Sequence, residues 1–420
     1  MAFSSRISGF YKLSRVEKLA KVQELVGLTD DEVATIERGY GTLDELAYIA
    51  ENVIGCIGIP LGIATNFLIN GKDYLIPMAS EEPSVVAACS NGARFVRMSG
   101  GFSTSSTEPI MEGQIQVVGV ADPKRARIAV LDHEDELIKL ANTQDPILVE
   151  ATGGAQGIIV RIVEGFTGTM LIVHLRVNVG EAMGANAVNR MAEHIAPRIE
   201  ELTGGRVYLR VIDNSCRLRL ARAQAIVKKD VLGSEHVVDG IVYGYDCAYN
   251  DPHRAVGHNK GTMNGVTAVV LATGNDTRAM ESAFHAHAAL SGQYRALPVW
   301  EKNAAGDLSC SIEIPAPVGL LGGATKAHSV ARLAVKILGV KTTRELGEIL
   351  AAVALAQKLA AERALADEGL EHGHTKSRAR VVAVEAGAKA DDVGEIAHIM
   401  IEEGAVRADR AKELVAERRK

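Results

Sequence analysis

The sequence predicts an α+β protein: a large mixed α/β domain, an inserted ferredoxin-like unit and a C-terminal helical flap. Three observations predict it. A β-α-β-β-α-β succession of hydrophobic patterns runs between about residues 109 and 216. Longer helical and mixed segments flank that stretch on both sides. Beyond Gly369, short amphipathic stretches are punctuated by Gly373, Gly387 and Gly404. At 420 residues the chain is too long for one typical domain, and a hydrophobic share of 47% supplies a sizeable core.

Residues 14–51 read as short helices with acidic starts, as in Thr29-Asp30-Asp31-Glu32. Residues 65–70 and 74–79 flank Asn70-Gly71, a dipeptide suited to a tight hairpin turn. Pro83 is expected at the first position of the next helix, where no N–H is needed, which sets Glu82 at or beside its N-cap. Residues 99–107 are small and polar and read as a linker. The inserted unit follows: strand 114–120, helix 134–140, strands 158–163 and 170–179, helix 186–202 ending at Gly204-Gly205, strand 207–212. A second boundary is placed near Arg217. The expected organisation is therefore 1–108 with 217–368 as the large domain, 109–216 as the insert, and 369–420 as a flap hinged near His372-Gly373-His374.

A net charge of -6 and an aromatic share of 4% argue against nucleic-acid binding. Cys56, Cys89, Cys216, Cys247 and Cys310 show no CxxC spacing and read as reduced thiols in a cytoplasmic protein. The apolar run at 349–356 is far shorter than the roughly 20 residues that span a bilayer.

The chemistry concentrates in His258-Asn259-Lys260-Gly261-Thr262-Met263-Asn264-Gly265 and the following Gly274-Asn275-Asp276. Lys260 sits among residues that read as core, and a buried lysine can stabilise a developing oxyanion. Glu82 at a strand–helix junction is a candidate proton donor. A helix N-terminus favours the ionised carboxylate, so a donor there needs a second acid nearby, and Asp276 is the candidate. Taken singly, Glu82 and Asp276 also suit helix starts. His372 and His374 lack the further ligands of a metal site, and no metal is expected. There is no GxGxxG or P-loop. Glu181-Ala182-Met183-Gly184-Ala185-Asn186 instead forms a turn entering a helix, whose N-terminus can receive a pyrophosphate.

In order along the chain, Glu51-Asn52-Val53-Ile54-Gly55, Glu81-Glu82-Pro83-Ser84, Ala182-Met183-Gly184-Ala185-Asn186, His258-Asn259-Lys260-Gly261, Gly274-Asn275-Asp276 and Gly373-His374 strongly resemble hydroxymethylglutaryl-coenzyme A (HMG-CoA) reductase of the soluble class II. The resemblance runs from about Ser5 to Arg410. It implies a reversible four-electron reduction of HMG-CoA to mevalonate and CoA by two reduced nicotinamides, with a large HMG-CoA-binding domain and a small dinucleotide-binding domain. By that similarity Lys260 stabilises oxyanions, Glu82 supplies a proton, Asp276 tunes both, and His374 protonates the departing thiolate from a closing flap. Ser84, Arg254 and Asn264 match positions that hold the HMG group. Asp145, Glu181, Met183, Gly184, Ala185, Asn186 and Asn214 match dinucleotide contacts, and Asp145 implies NADH over NADPH. The Glu51–Gly55 motif matches the family's dimerisation segment, implying a homodimer or higher oligomer with its site between subunits. Two positions depart from the pattern: Glu181 replaces the usual aspartate, and Gly257 lacks a side chain. A non-redox CoA-thioester hydrolase or transferase and a ligand-binding regulatory protein are the alternatives. The first lacks an activated nucleophile, and the second would have lost the four catalytic candidates.

Overall fold

The computed structural model describes residues 3–40, 42–367, 369–389 and 391–418, leaving aside the side chains of Ala324 and residues 370–377. Three short helices come first: α1 (Arg15–Val26), α2 (Asp30–Arg38) and α3 (Leu43–Ala47), capped by Ser14, Thr29 and Thr42. Glu17 and Glu32 complete capping boxes on the first two. The expected hairpin follows as β1 (Leu61–Ile69) and β2 (Lys72–Ala79). Asn70 and Gly71 turn it with φ of 49° and 78°, both left-handed as a type I′ turn requires.

Helix α4 (Val85–Met98) begins later than expected. Ser84 is its N-cap with φ 72°, and Pro83 lies in the turn before it. A left-handed residue cannot sit inside a right-handed helix, so Pro83 is excluded from the first helical position. The stretch read as a linker contains a strand, β3 (Ser103–Ser106), paired with β8 (Leu220–Val227). Its polarity has a local reason: Thr104 and Ser106 donate to the Glu348 carboxylate at 2.8 and 2.7 Å.

The insert comprises β4 (Ile110–Val118), α5 (Pro123–Asp132), α6 (Glu134–Asn142), α7 (Pro146–Thr152), β5 (Ala155–Gly165), β6 (Gly168–Asn178), α8 (Ala185–Thr203) and β7 (Arg206–Asp213). Its antiparallel sheet has the order β5-β6-β4-β7, the ferredoxin-like arrangement. The first crossover holds three helices where the sequence suggested one. Asp122-Pro123 and Asp145-Pro146 each start a new helix, the aspartate accepting the N–H of Arg125 or Leu148 at 3.0 Å and the proline taking the first position.

The chain then returns through β8, α9 (Lys229–Leu232), α10 (Glu235–Asn250), α11 (Pro252–Ala272), α12 (Thr277–Ala288), β9 (Val299–Lys302) and β10 (Leu308–Pro315), completing a sheet of order β3-β8-β10-β9. After α13 (Gly323–Ala327) and α14 (Ser329–Leu338) comes α15 (Thr343–Ala366), buried over most of its length. Glycines on its neighbours let them approach its backbone. A Cβ at Gly92 of α4 would lie 1.9 Å from the Ala356 carbonyl oxygen. One at Gly240 of α10 would meet Ala366 at 2.9 Å, and one at Gly265 of α11 would meet Gln357 at 2.9 Å. Gly257, Gly261 and Gly265 recur every fourth residue, so they share one face of α11.

The last three helices, α16 (Leu370–Glu385), α17 (Val393–Glu402) and α18 (Ala408–Arg418), pack around Ala379, Ala383, Ile396, Met400 and Leu414. His372-Gly373-His374 run within α16 and do not break it. The break lies upstream, where Gly369 has φ 79°.

Replacing Gly92 by Ala is expected to destabilise the protein by about 2–3 kcal/mol, because a backbone carbonyl must move to admit the methyl group. Chemical denaturation measures it, and an unchanged midpoint would contradict the close approach of α4 to α15.

Candidate active site

A cleft of about 210 Å³ opens between the end of β2 and one face of α11. Lys260, Met263, Asn264, Thr267 and Leu271 line it from α11, at the three- and four-residue spacing that stacks side chains on a helix face. Ser80, Glu81 and Glu82 form the opposite wall. Lys260 Nζ lies 2.9 Å from Glu82 Oε2, so two groups far apart in sequence meet directly. Glu281 and His285 of α12 also reach the cleft. His285 bridges Glu281 at 3.1 Å and the Tyr294 hydroxyl at 2.7 Å, and Thr267 donates to Glu281 at 2.6 Å. The hydrogen bond from His285 holds the Glu281 carboxyl below its usual range.

Lys260 differs from expectation in two ways. It lies inside helix α11 rather than at an element end, and its side chain is 62% exposed. The face of α11 that carries it looks into the cleft together with Met263 and Leu271, while Val266, Val269 and Val270 are buried in the core. Asp276 is the N-cap of α12, accepting from Arg278 and Ala279 N–H at 2.9 and 3.1 Å and pairing with the Arg278 guanidinium at 3.1 Å. Among the described residues these are its partners, and it bonds neither Lys260 nor Glu82. The Ser84 hydroxyl donates to the Pro83 carbonyl. His374 has its backbone in α16, and its side chain lies outside the described residues.

Arg254 occupies the first turn of α11 and turns toward α15, not into the cleft. Its Nη2 donates to Glu362 Oε1 at 3.3 Å. The same oxygen is 2.6 Å from Lys358 Nζ and 3.6 Å from His258 Nε2. Lys358, Glu362 and His258 are all buried. Burial, reinforced by Lys358 and Arg254, holds the His258 imidazole down to about 2. Burial also pushes the Lys358 ammonium below its usual value, against the pull of Glu362. At Gly257 a Cβ would stand 3.4 Å from Arg254 Nη1, an ordinary contact, and nothing in the local packing requires glycine there.

The turn at Glu181–Gly184 is bound to the large domain. Glu181 accepts the Thr343 N–H at the start of α15, and its carbonyl accepts the N–H groups of Leu320 and Leu321. Buried Arg219 donates to the carbonyls of Ala182, Met183 and Val318 at 3.1, 3.3 and 2.6 Å. Gly184 enters α8 with φ 99° and supplies no side-chain cap, leaving the first N–H groups of that helix open toward an anion. Ala185 and Asn186 form that first turn, and Asn214 follows β7. Asp145 caps α7 and pairs with Arg190 at 2.9 Å.

The model of the hydroxymethylglutaryl-coenzyme A reductase family matches residues 14–379. The chain belongs to that family. It is 52% identical to the 3-hydroxy-3-methylglutaryl-coenzyme A reductase of Archaeoglobus fulgidus over 414 residues, covering 99% of this chain and 95% of that protein. Among solved structures it is similar to the Streptococcus pneumoniae reductase, with TM-score 0.84, 32% identity, and coverage of 98% of this chain and 99% of that one. A class II structure of the S. pneumoniae reductase bound to NADPH matches with TM-score 0.83 and 33% identity over 85% of this chain and 99% of that one. The class II form expected from the motifs is the one these structures match.

Several residues of this reductase escape a reading of motifs. Lys358 and Glu362 left one signal, an ion pair at four-residue spacing inside an alanine-rich helix. The Glu281–His285 pair on α12 left the same four-residue spacing, and Arg219 and Arg190 left none. Glu112, His174 and Asp213 bring potential metal-ligand atoms within 4.8 Å. Protein donors already use these acceptors: Arg176 and Arg217 bond Glu112, Arg161 donates to His174 Nε2, and the Gln114 amide and Ser215 N–H donate to Asp213. No described helix is long and apolar enough to cross a membrane.

The depressed His258 pKa carries a pH signature. Above an unfolded pKa of about 6.5 the neutral imidazole costs nothing, whereas below it the unfolded chain binds a proton that the folded one refuses. Stability is expected to fall by up to about 1.4 kcal/mol per unit as pH drops from 6.5 toward 2, and His258→Leu should flatten that dependence. Melting curves at neutral and mildly acidic pH measure it, and an identical slope in the variant would exclude His258 as the source.

Proposed function

We propose that the protein reduces HMG-CoA to mevalonate and free CoA in a four-electron reaction with two reduced nicotinamides. One observation carries this reading: Lys260 and Glu82 meet at 2.9 Å on a cleft shared with Asn264, in a chain of the reductase family. The open first turn of α8 fits a pyrophosphate, and the nicotinamide supplies the hydride in each half-reaction. Lys260 stabilises the oxyanion formed on the thioester carbonyl and the alkoxide formed later from the aldehyde. His374 protonates the CoA thiolate as the hemithioacetal collapses, and Glu82 protonates the alkoxide to give the alcohol. Asp276 joins the Lys260–Glu82 pair once substrate and a second subunit close the site. Ser84, Asn264 and Arg254 hold the HMG group, with Arg254 taking its free carboxylate.

Ile54 and Ile57, in and just beyond the Glu51–Gly55 motif, are almost wholly exposed in a single chain, which supports homodimerisation or a higher assembly through this segment. All five thiols are free, in keeping with a reducing cytoplasmic location. Asp145 disfavours a 2′-phosphate and supports NADH as the preferred donor. Arg190 beside it is the counterweight through which NADPH also enters. Glu181, Met183, Gly184, Ala185, Asn186 and Asn214 complete the dinucleotide side, with Glu181 acting through the loop it anchors.

The test is consumption of NADH or NADPH on mixing with HMG-CoA; absence of both reactions sinks the assignment. Lys260→Ala is expected to lower kcat by about 10²–10³ while both ligands still bind, and wild-type turnover in that variant would remove Lys260 from the chemistry. Asp145→Ala is expected to move the NADH/NADPH ratio of kcat/KM toward NADPH by about tenfold. A constant ratio would show that another residue reads the ribose.

A further inference from the structure

The cluster behind Arg254 holds an unequal number of charges. Among the described residues, Arg254 and Lys358 are the cations, Glu362 is the one carboxylate in contact with both, and His258 between them is neutral. Lys358 and Glu362 are 2% and 1% exposed, so solvent screens neither, and one positive charge is left over. Arg254 is the member that reaches outward, its side chain 31% exposed. It stands six residues before Lys260 on the same helix, about 9 Å along the axis.

We propose that Glu362 and Lys358 are positioning residues that set Arg254 for the substrate's free carboxylate, whose single negative charge completes the cluster. This rests on the reductase reading given above. Glu362 fixes Nη2 from the interior side and leaves the rest of the guanidinium fork for the ligand. Lys358, at 2.6 Å from the same oxygen, keeps Glu362 from neutralising Arg254 alone, so the arginine retains its attraction for an anion. A glycine eases the arrangement: a Cβ at Gly244 would stand 3.2 Å from Glu362 Oε2.

The experiment compares HMG-CoA with 3-hydroxy-3-methylbutanoyl-CoA, which keeps the thioester and lacks the free carboxylate. In Glu362→Gln, KM for HMG-CoA is expected to rise about tenfold or more, with kcat and the nicotinamide KM little changed. The preference for HMG-CoA over the truncated thioester should shrink by a similar factor. A purely structural role would lower stability without moving that preference. If Glu362→Gln does not fold, the double variant Glu362→Gln/Lys358→Met removes both buried charges together, a change cores tolerate better than breaking a pair. It is expected to show the same loss of preference. Wild-type preference in either folded variant overturns the proposal. A wild-type protein that oxidises no nicotinamide with HMG-CoA defeats the reductase reading instead, so the two failures are distinguishable.

Discussion

The close approach of three helices to α15 is the constraint on which the rest of the molecule depends. Gly92, Gly240 and Gly265 stand where any side chain would strike the α15 helix. Glycine inside a helix costs about 1 kcal/mol relative to alanine, and the cost is offset here by backbone contact and dense packing. The rotation of α11 follows from this. Once its glycine face meets α15, Lys260 and Asn264 fall on the flank beside it, which forms the wall of the cleft.

The same packing separates two lysine–glutamate pairs of different character. Lys260 and Glu82 stand in partial contact with water, so the pair is weak and can be rearranged by a ligand. Lys358 and Glu362 are cut off from water and cannot separate without leaving a bare charge in the interior. One pair is suited to chemistry and the other to holding a geometry. His258 illustrates the cost of that interior, for among the described residues neither ring nitrogen has a hydrogen-bond partner and it stays neutral.

Between the insert and the large domain, the Glu181–Gly184 turn acts as a fastener. The Glu181 carboxylate accepts the Thr343 N–H at the N-terminus of α15. Arg219 fills the carbonyls of the same turn from below, and Gly319 allows the contact, since a Cβ there would be 2.6 Å from the Met183 nitrogen. The N-terminal end of α8 is thereby fixed to the helix that also carries Glu362.

Much of the fold was legible because local chemistry dictates it. Asn70-Gly71 specifies its turn, alternating apolar residues specify the four strands of the insert, and Gly204 ends α8 where expected. Where local signals competed, the reading went astray: Pro83 lost the first helical position to the left-handed Ser84, and β3 took its polarity from Glu348 on a distant helix. Motif order also sufficed to name the family, and it singled out Lys260, Glu82 and Asn264, which do converge. It could not tell which lysine is buried. Periodicity gives the faces of a helix but not which face meets a neighbour, so in sequence Lys260 reads as a core residue and Lys358 as nothing special. Only the tertiary structure decided that, because burial is a property of the crossing of α11 and α15 and of neither helix alone.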